Sequence, residues 1–271
     1  MSQLRFGATD FVSTRPLLFG LVNDDTLRGR VCFEPAAAVA ESFARGRCDA
    51  ALIPAIEYLR GTGQYLLAGP ALIGRSAPGS LIMLSQKPVE EIERVAVGEF
   101  CRNAVAVLRI VLAEHHGILP DLLVEKRIGE DDWRDRYDAV LLTGDAAFRE
   151  ANAERVKGLV RYNVAEVWKS VTKTPLVHAV WVYDDRRLAN EIALLLTASR
   201  DEGCGRMPSV AEDIARVSGL DAMLIYDHLT RAWSYELGDE ELEGIRVLND
   251  LARKYDLIRD SRFAAAAVRA V

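Results

Sequence analysis

The sequence predicts an α/β fold of two lobes, with a ligand cleft between them and a helical C-terminal segment. Three observations predict it. Short apolar runs alternate with helical patterns from Leu4 to Arg60 and again from Arg94 to Tyr183, the mark of largely parallel sheets covered by helices. Two extended crossovers, near residues 82–94 and 176–184, join the two alternating sets. Residues 90–178 therefore read as a second lobe inserted into a first one made of 1–89 plus 179–271. After Tyr183 the periodicity is helical to the end.

The elements follow in order. Leu4 to Ala8 is a short strand, and the polar turn Ser13-Thr14-Arg15 leads into a helix that Pro16 starts and that runs to about Asn23. Arg30 to Glu34 is a strand. The run from Pro35 is a helix ended by Gly46, and Cys48 to Pro54 is the next strand. One or two helical turns cover Ala55 to Arg60. Tyr65 to Gln86 is extended, interrupted by a Ser/Pro/Gly-rich loop at Ser76 to Ser80, and Leu81 to Leu84 is apolar enough to cross between lobes. A short helix at Val89 to Glu93 precedes the strand Arg94 to Gly98, a turn at 99–103 and a clear helix from Ala104 to His115. Leu122 to Lys126 is a strand, and the charge run from Glu130 reads as a solvated helix face.

The stretch from Tyr137 to Tyr183 is the most informative. The apolar run Ala139 to Leu142 meets Thr143, Gly144 and Asp145, and a helix opens at Ala146. Strand, glycine turn and helix N-terminus can present free backbone N–H groups to an anion. The same residues also suit an ordinary βαβ unit in which Asp145 is the helix N-cap and Leu176 to Val182 is the returning strand. Beyond it, Leu188 to Arg200 is amphipathic, Ser209 caps a helix with Glu212 at the capping-box position, Asp221 to Thr230 follows, and Asp239 caps a last long helix to Tyr255.

Composition narrows the function. The chain has 271 residues, 50% hydrophobic, enough for a large core. A net charge of −6 and basic runs no longer than a pair such as Arg186-Arg187 give no support to a nucleic-acid partner. The first residues lack the layout of an export signal, and no apolar run approaches a membrane span. Four scattered cysteines, without CxxC, read as reduced thiols. His115 and His116 are adjacent and cannot share a metal across a helix face. The expected setting is the cytoplasm, with no membrane contact.

Six pieces of sequence, in order, carry a family resemblance: RPLLFGL near the start, GRCDAALIPAIEYLR from Gly46, APGSLIMLSQKP from Ala77, LLTGDAAF, EVWKSVTKTPLVHAVWV from Glu166, and WSYELGDEELEGIRVLNDLARKYDLI from Trp233. With them the chain resembles the chorismate dehydratases of the futalosine route to menaquinone, which have the type 2 periplasmic-binding-protein fold. The resemblance implies loss of water from chorismate to give 3-(1-carboxyvinyloxy)benzoate, a carbon–oxygen lyase reaction that needs no metal or organic cofactor. The departures fall on ligand-facing turns. Ser13 stands where the family usually has Asn, Ala55 where Ser is common, and His178 where an aromatic is common. The turn reads GEFCRNAVAVLR where an Asp and a Ser/Thr-rich helix start are usual.

Chorismate carries two carboxylates and a ring hydroxyl, so the implied site must hold a small anion, place a base and assist a leaving hydroxyl. Ser13, at the family's Asn position, and Glu99, at a strand end facing the expected cleft, are the catalytic candidates, Glu99 as a base whose pKa burial would raise. The substrate-binding candidates are Thr14, Arg15, Ala55, Ser80, Arg102, Asn103, Thr143, Gly144, Asp145 and His178. Helix N-termini after 13–15, after 99–103 and after Gly144 would receive carboxylates, and Arg15 or Arg102 would add a bidentate contact. Against these stand plainer readings: each arginine as a solvated side chain, His178 as a core histidine bonded to backbone, Trp168 and Trp181 as packing. The proton could also go to a substrate carboxylate. The alternative function is a non-catalytic or diverged cytoplasmic binder of a small aromatic or dicarboxylic acid, since the fold is shared with solute-binding proteins.

Overall fold

A computed structural model of the chain describes residues 4–75, 79–126, 131–151 and 158–259. Two sheets organise it. The first has six strands in the order β11-β4-β10-β3-β1-β2: β1 (Phe6–Ala8), β2 (Val31–Phe33), β3 (Ala50–Pro54), β4 (Tyr65–Gly74), β10 (Leu176–Tyr183) and β11 (Trp233–Leu237). The second has five in the order β7-β6-β8-β5-β9: β5 (Leu81–Ser85), β6 (Arg94–Gly98), β7 (Asp121–Glu125), β8 (Ala139–Thr143) and β9 (Val160–Asn163). Ten α-helices among the described residues cover them: α1 (Arg15–Asn23), α2 (Ala36–Ala44), α3 (Ala55–Leu59), α4 (Arg102–Val111), α5 (Gly144–Ala151), α6 (Val164–Thr172), α7 (Ala189–Gly205), α8 (Met207–Ser218), α9 (Ala222–Arg231) and α10 (Asp239–Lys254).

The central strands of both sheets are buried on two faces, which is why β3, β5 and β8 are apolar at nearly every position. Successive residues of a strand point to opposite sides. Leu66, Ala71 and Ile73 of β4 enter one core and Leu67 and Leu72 another. The first of these cores runs without interruption from β3, β4 and β10 of one sheet to β5, β6 and β8 of the other. The second lies under α1, α7, α8 and α9. A third, around Trp133, Leu142 and Ala147, covers the far side of the second sheet. Trp133 is thus buried inside the charge run expected as a solvated face.

Several expectations need correction. The sheets are mixed: β1 pairs in parallel with β2 and β3, but β10 is inserted antiparallel to both β3 and β4, and β5 pairs antiparallel with β8 in the second sheet. β8 and β10 lie in different sheets, so the stretch between them is no βαβ unit. β5, on the first-lobe side of a division at residue 89, hydrogen-bonds in the second sheet. β9 and β11 are edge strands where no strand was expected. β9 is too polar and exposed to show in an apolar pattern, and β11 hides between two helices. α8 begins at Met207, with Pro208 in its first turn, so Ser209 lies inside it and caps nothing. The cap of α10 is Gly238, whose N–H the Glu241 carboxylate accepts at 2.9 Å. Residues 76–78 of the expected loop and Glu130 lie outside the described residues.

Candidate functional site

Between the two sheets lies a cavity of about 480 Å³, within the size range of small-ligand sites. Four helices bring their N-termini to it. Ser13 and Thr14 line it at the head of α1, Pro35 and Ala36 at α2, Cys101, Asn103 and Ala104 at α4, and Thr143 and Gly144 at α5. The first-turn N–H groups of a helix have no partner within it, and the helix dipole adds positive potential there; at α1 fewer are free, because the Arg15 N–H donates to the Val12 carbonyl and Pro16 has none. No lysine or arginine is among the lining residues, which instead include the carboxylates of Asp10 and Glu34. Asp10 is ion-paired with Arg15 at 2.6 Å.

Each turn has a local reason. A one-turn 3-10 helix, Val12–Thr14, precedes α1. Thr14 Oγ1 donates to the Thr9 carbonyl at 2.6 Å and accepts the Phe11 N–H at 3.1 Å, so this hydroxyl holds the turn. Ser13 is buried, and its Oγ has no partner among the described residues; the same is true of Thr9 Oγ1 and Ser80 Oγ. Buried polar groups are nearly always paired, and hydroxyls left open beside a cavity are what a polar ligand would satisfy. At the head of α5, Gly144 takes φ +59°, a left-handed conformation open to glycine at little cost.

His178 owes its placement to a bulge. Val177 pairs with Ile73 and Ala179 with Leu72, so His178 is the extra residue in β10, and bulges re-aim side chains. Its ring sits 5.0 Å from that of Trp233, edge to face. It fits only because residue 74 is glycine: a Cβ there would lie 2.6 Å from His178 Nε2 and 3.6 Å from Ser80 Oγ. Nε2 is buried without a partner among the described residues, so the backbone-bonded reading of this nitrogen does not hold. Burial pushes the imidazole down to about 4, which keeps it neutral at pH 7.

Of the residues singled out from the sequence, Ser13, Thr14, Asn103, Thr143, Gly144 and His178 line this cavity, and Ser80 is buried outside the lining, close to Gly74. Asn103 spends its side chain on structure: Oδ1 accepts the Ile56 N–H at 3.0 Å and Nδ2 donates to the Val177 carbonyl at 3.3 Å. The others stand elsewhere. Glu99 is exposed and outside the lining, because the turn after β6 gives it to solvent and Phe100 to the cavity. Arg102 pairs with Glu41 at 2.6 Å and Glu57 at 3.3 Å. Ala55 is fully buried in the first turn of α3. Asp145 is no N-cap: α5 starts before it, and its Oδ1 accepts the Val12 N–H at 2.9 Å. Sequence reasoning missed Phe11, Phe33, Glu34, Phe100 and Trp233, all of which line the cavity. Phe33-Glu34-Pro35 is itself a strand-to-helix turn, the signal that could have found it. Among the described residues no cluster could hold a metal ion, and no helix is long and apolar enough to cross a membrane.

Residues 4–254 match a protein family described as menaquinone biosynthesis. The chorismate dehydratase of Thermus thermophilus is 31% identical over 185 residues, 63% of this chain and 65% of that protein, so the match spans just under two thirds of the relative's length. A crystal structure of a protein from Archaeoglobus fulgidus superposes with a TM-score of 0.76 at 17% identity, covering 95% of this chain and 99% of that one. The alkanesulfonate-binding protein of Xanthomonas axonopodis pv. citri, bound to MOPS, gives 0.68 at 17% identity over 97% and 96% of the two chains. The periplasmic aliphatic sulphonate binding protein of Escherichia coli gives 0.64 at 12% over 95% and 89%. At such identities the likeness is one of fold, and the fold is periplasmic-binding-protein-like.

Proposed function

The chain belongs to the menaquinone biosynthesis family, and on that premise we propose that it dehydrates chorismate to 3-(1-carboxyvinyloxy)benzoate. The observation that carries the reading is the cavity between the sheets, where four helix N-termini and the unpartnered hydroxyls of Thr9 and Ser13 meet without a cationic side chain. Such a lining suits a small dianion with a hydroxyl to be oriented. The relative that acts as a chorismate dehydratase supports the same substrate.

In the proposed reaction a ring C–H bond breaks and its electron pair becomes the last double bond of the aromatic ring. The adjacent C–O bond breaks, and the hydroxyl leaves as water with a proton. Aromatisation drives the step, so the protein's share is placement. The N-termini of α2, α4 and α5 hold the carboxylates, and the Ser13 hydroxyl hydrogen-bonds the departing oxygen. Two acceptors compete for the ring proton: the neutral imidazole of His178 and a carboxylate of the substrate itself.

Ultraviolet spectra of purified protein with chorismate test the reading, the expected outcome being loss of the diene band as a benzoate band grows. Binding by calorimetry with an unchanged spectrum would make the protein a binder instead. His178→Gln then assigns the proton. A fall in kcat of about a hundredfold or more gives it to the imidazole, the size general-base removal commands, whereas a retained rate gives it to the substrate carboxylate.

A further inference from the structure

The Thr-Gly-Asp turn at the head of α5 points its first two residues at the cavity, but Asp145 turns away. Asp145 borders a second hollow of about 410 Å³ on the other side of Phe11. There its Oδ1 accepts the Val12 N–H at 2.9 Å, across 133 positions of sequence and from one sheet's territory to the other's. Val12 is the first residue of the 3-10 turn that carries Ser13. Phe11, one residue earlier, packs on Gly144, where an added Cβ would meet its ring at 3.4 Å. Phe148, one turn further along α5, stacks on His228 with ring centroids 4.2 Å apart. His228 Nε2 in turn accepts the indole N–H of Trp233 at 3.0 Å. The first turns of α5 thus grip the other half of the molecule twice; one grip ends on Val12, beside the cavity-lining Ser13, and the other leads to Trp233, which lines the cavity itself.

We propose that Asp145 is a positioning residue of the active site. By accepting the Val12 N–H it locks the turn bearing Ser13 against the second sheet, so that closing the two halves and aiming the Ser13 hydroxyl are one event. What matters is an oxygen acceptor at this point rather than a charge beside the ligand. The carboxylate has its own surroundings, Arg149 on its own helix and Asp10 and Arg15 from the facing element, and none of these is needed for the hydrogen bond. The rate readout rests on the chorismate reading above; the exchange readout below does not.

Asp145→Asn keeps the acceptor and Asp145→Ala removes it. Amide hydrogen exchange at Val12 should be slow in the wild type and in the Asn variant, and accelerate by about tenfold or more in the Ala variant, as loss of a hydrogen bond to a buried acceptor predicts. With chorismate, kcat should fall by about tenfold or more in Asp145→Ala and stay within about threefold in Asp145→Asn. Val12→Pro removes the same bond from the donor side at a helix start that accepts proline. It serves should Asp145→Ala fail to fold, and combining the two should add no further loss. Equal damage by Asn and Ala, full activity in Ala, or Val12 exchange that ignores both substitutions would each overturn the proposal. Failure of the wild type to dehydrate chorismate would overturn the functional reading and leave the exchange result to decide this one.

Discussion

His178 and His228 each lie in low-dielectric surroundings and each is pushed by burial down to about 4 from 6.5. Unfolding returns both to water, where they take up protons near pH 6.5. The native state, which binds fewer protons in this window, therefore loses stability as pH falls from 6.5 toward 4, and regains none below it. Between pH 6.5 and about 5 carboxylates stay ionised, so the two histidines dominate. We expect the free energy of urea unfolding to fall in that window by up to about 1.4 kcal/mol per pH unit for each histidine. Replacing both with Gln should flatten the profile, and a wild-type profile already flat would deny the burial its consequence. Ser13 and His178 were legible in the sequence as departures from a family pattern, and both reached the cavity. Glu99 and Arg102 were not, because a strand-to-helix turn offers several residues in succession and which one faces inward depends on what packs behind it. Arg102 finds Glu41 and Glu57 before any ligand could claim it.

Helix α1, which aims the Ser13 turn, lies closely against α7. A Cβ on Gly203 would sit 2.1 Å from the Pro16 carbonyl oxygen, and one on Gly20 2.7 Å from Ser199 Cα. Ser199 Oγ fastens the pair, donating to the Leu17 carbonyl at 2.9 Å and accepting the Leu21 N–H at 3.0 Å. With backbone on both sides, the helices can only separate. Gly203→Ala should cost about 1–3 kcal/mol, the usual toll of overpacking, read as a lower urea midpoint, and should reduce turnover as the turn shifts. An unchanged midpoint would mean the contact is looser than its geometry. The α1 and β6 segments were readable from Pro16 and from the run Arg94 to Gly98, where local pattern and tertiary demand agree. β11 was readable in principle, since Trp233, Tyr235 and Leu237 alternate inward. Its neighbours on both sides are helices, however, and five residues between them pass for a connection. Helix starts at Gly144 and Met207 came earlier than expected because Asp145 and Ser209 look like caps but have other surroundings.

The two halves of the molecule meet on opposite flanks of the cavity. On one, α5 clasps the turn at Val12 and the ring of His228. On the other, α4 meets α3: Asn103 accepts the Ile56 N–H, and Arg102 reaches the buried Glu57, which Arg60 also holds at 2.6 Å. Arg102→Ala leaves Glu57 one partner short and should lower stability by about 1–3 kcal/mol. Chorismate affinity per folded molecule should stay unchanged, by titration calorimetry beside urea unfolding. Lost affinity with intact stability would return Arg102 to the ligand. That the chain makes two alternating sets of strands and helices could be read from its periodicity; that β10 and β11 run against β1, β2, β3 and β4 could not, since periodicity carries no direction. Between the flanks, the cavity's positive side is peptide backbone at four helix heads. A codon change can swap a lining side chain but cannot delete a peptide N–H, short of proline. Drift at Ser13, Phe33 or Phe100 reshapes the cavity while the backbone donors around it persist. A lineage built on this scaffold can therefore change its side chains at the cavity without losing the donors that its helices supply.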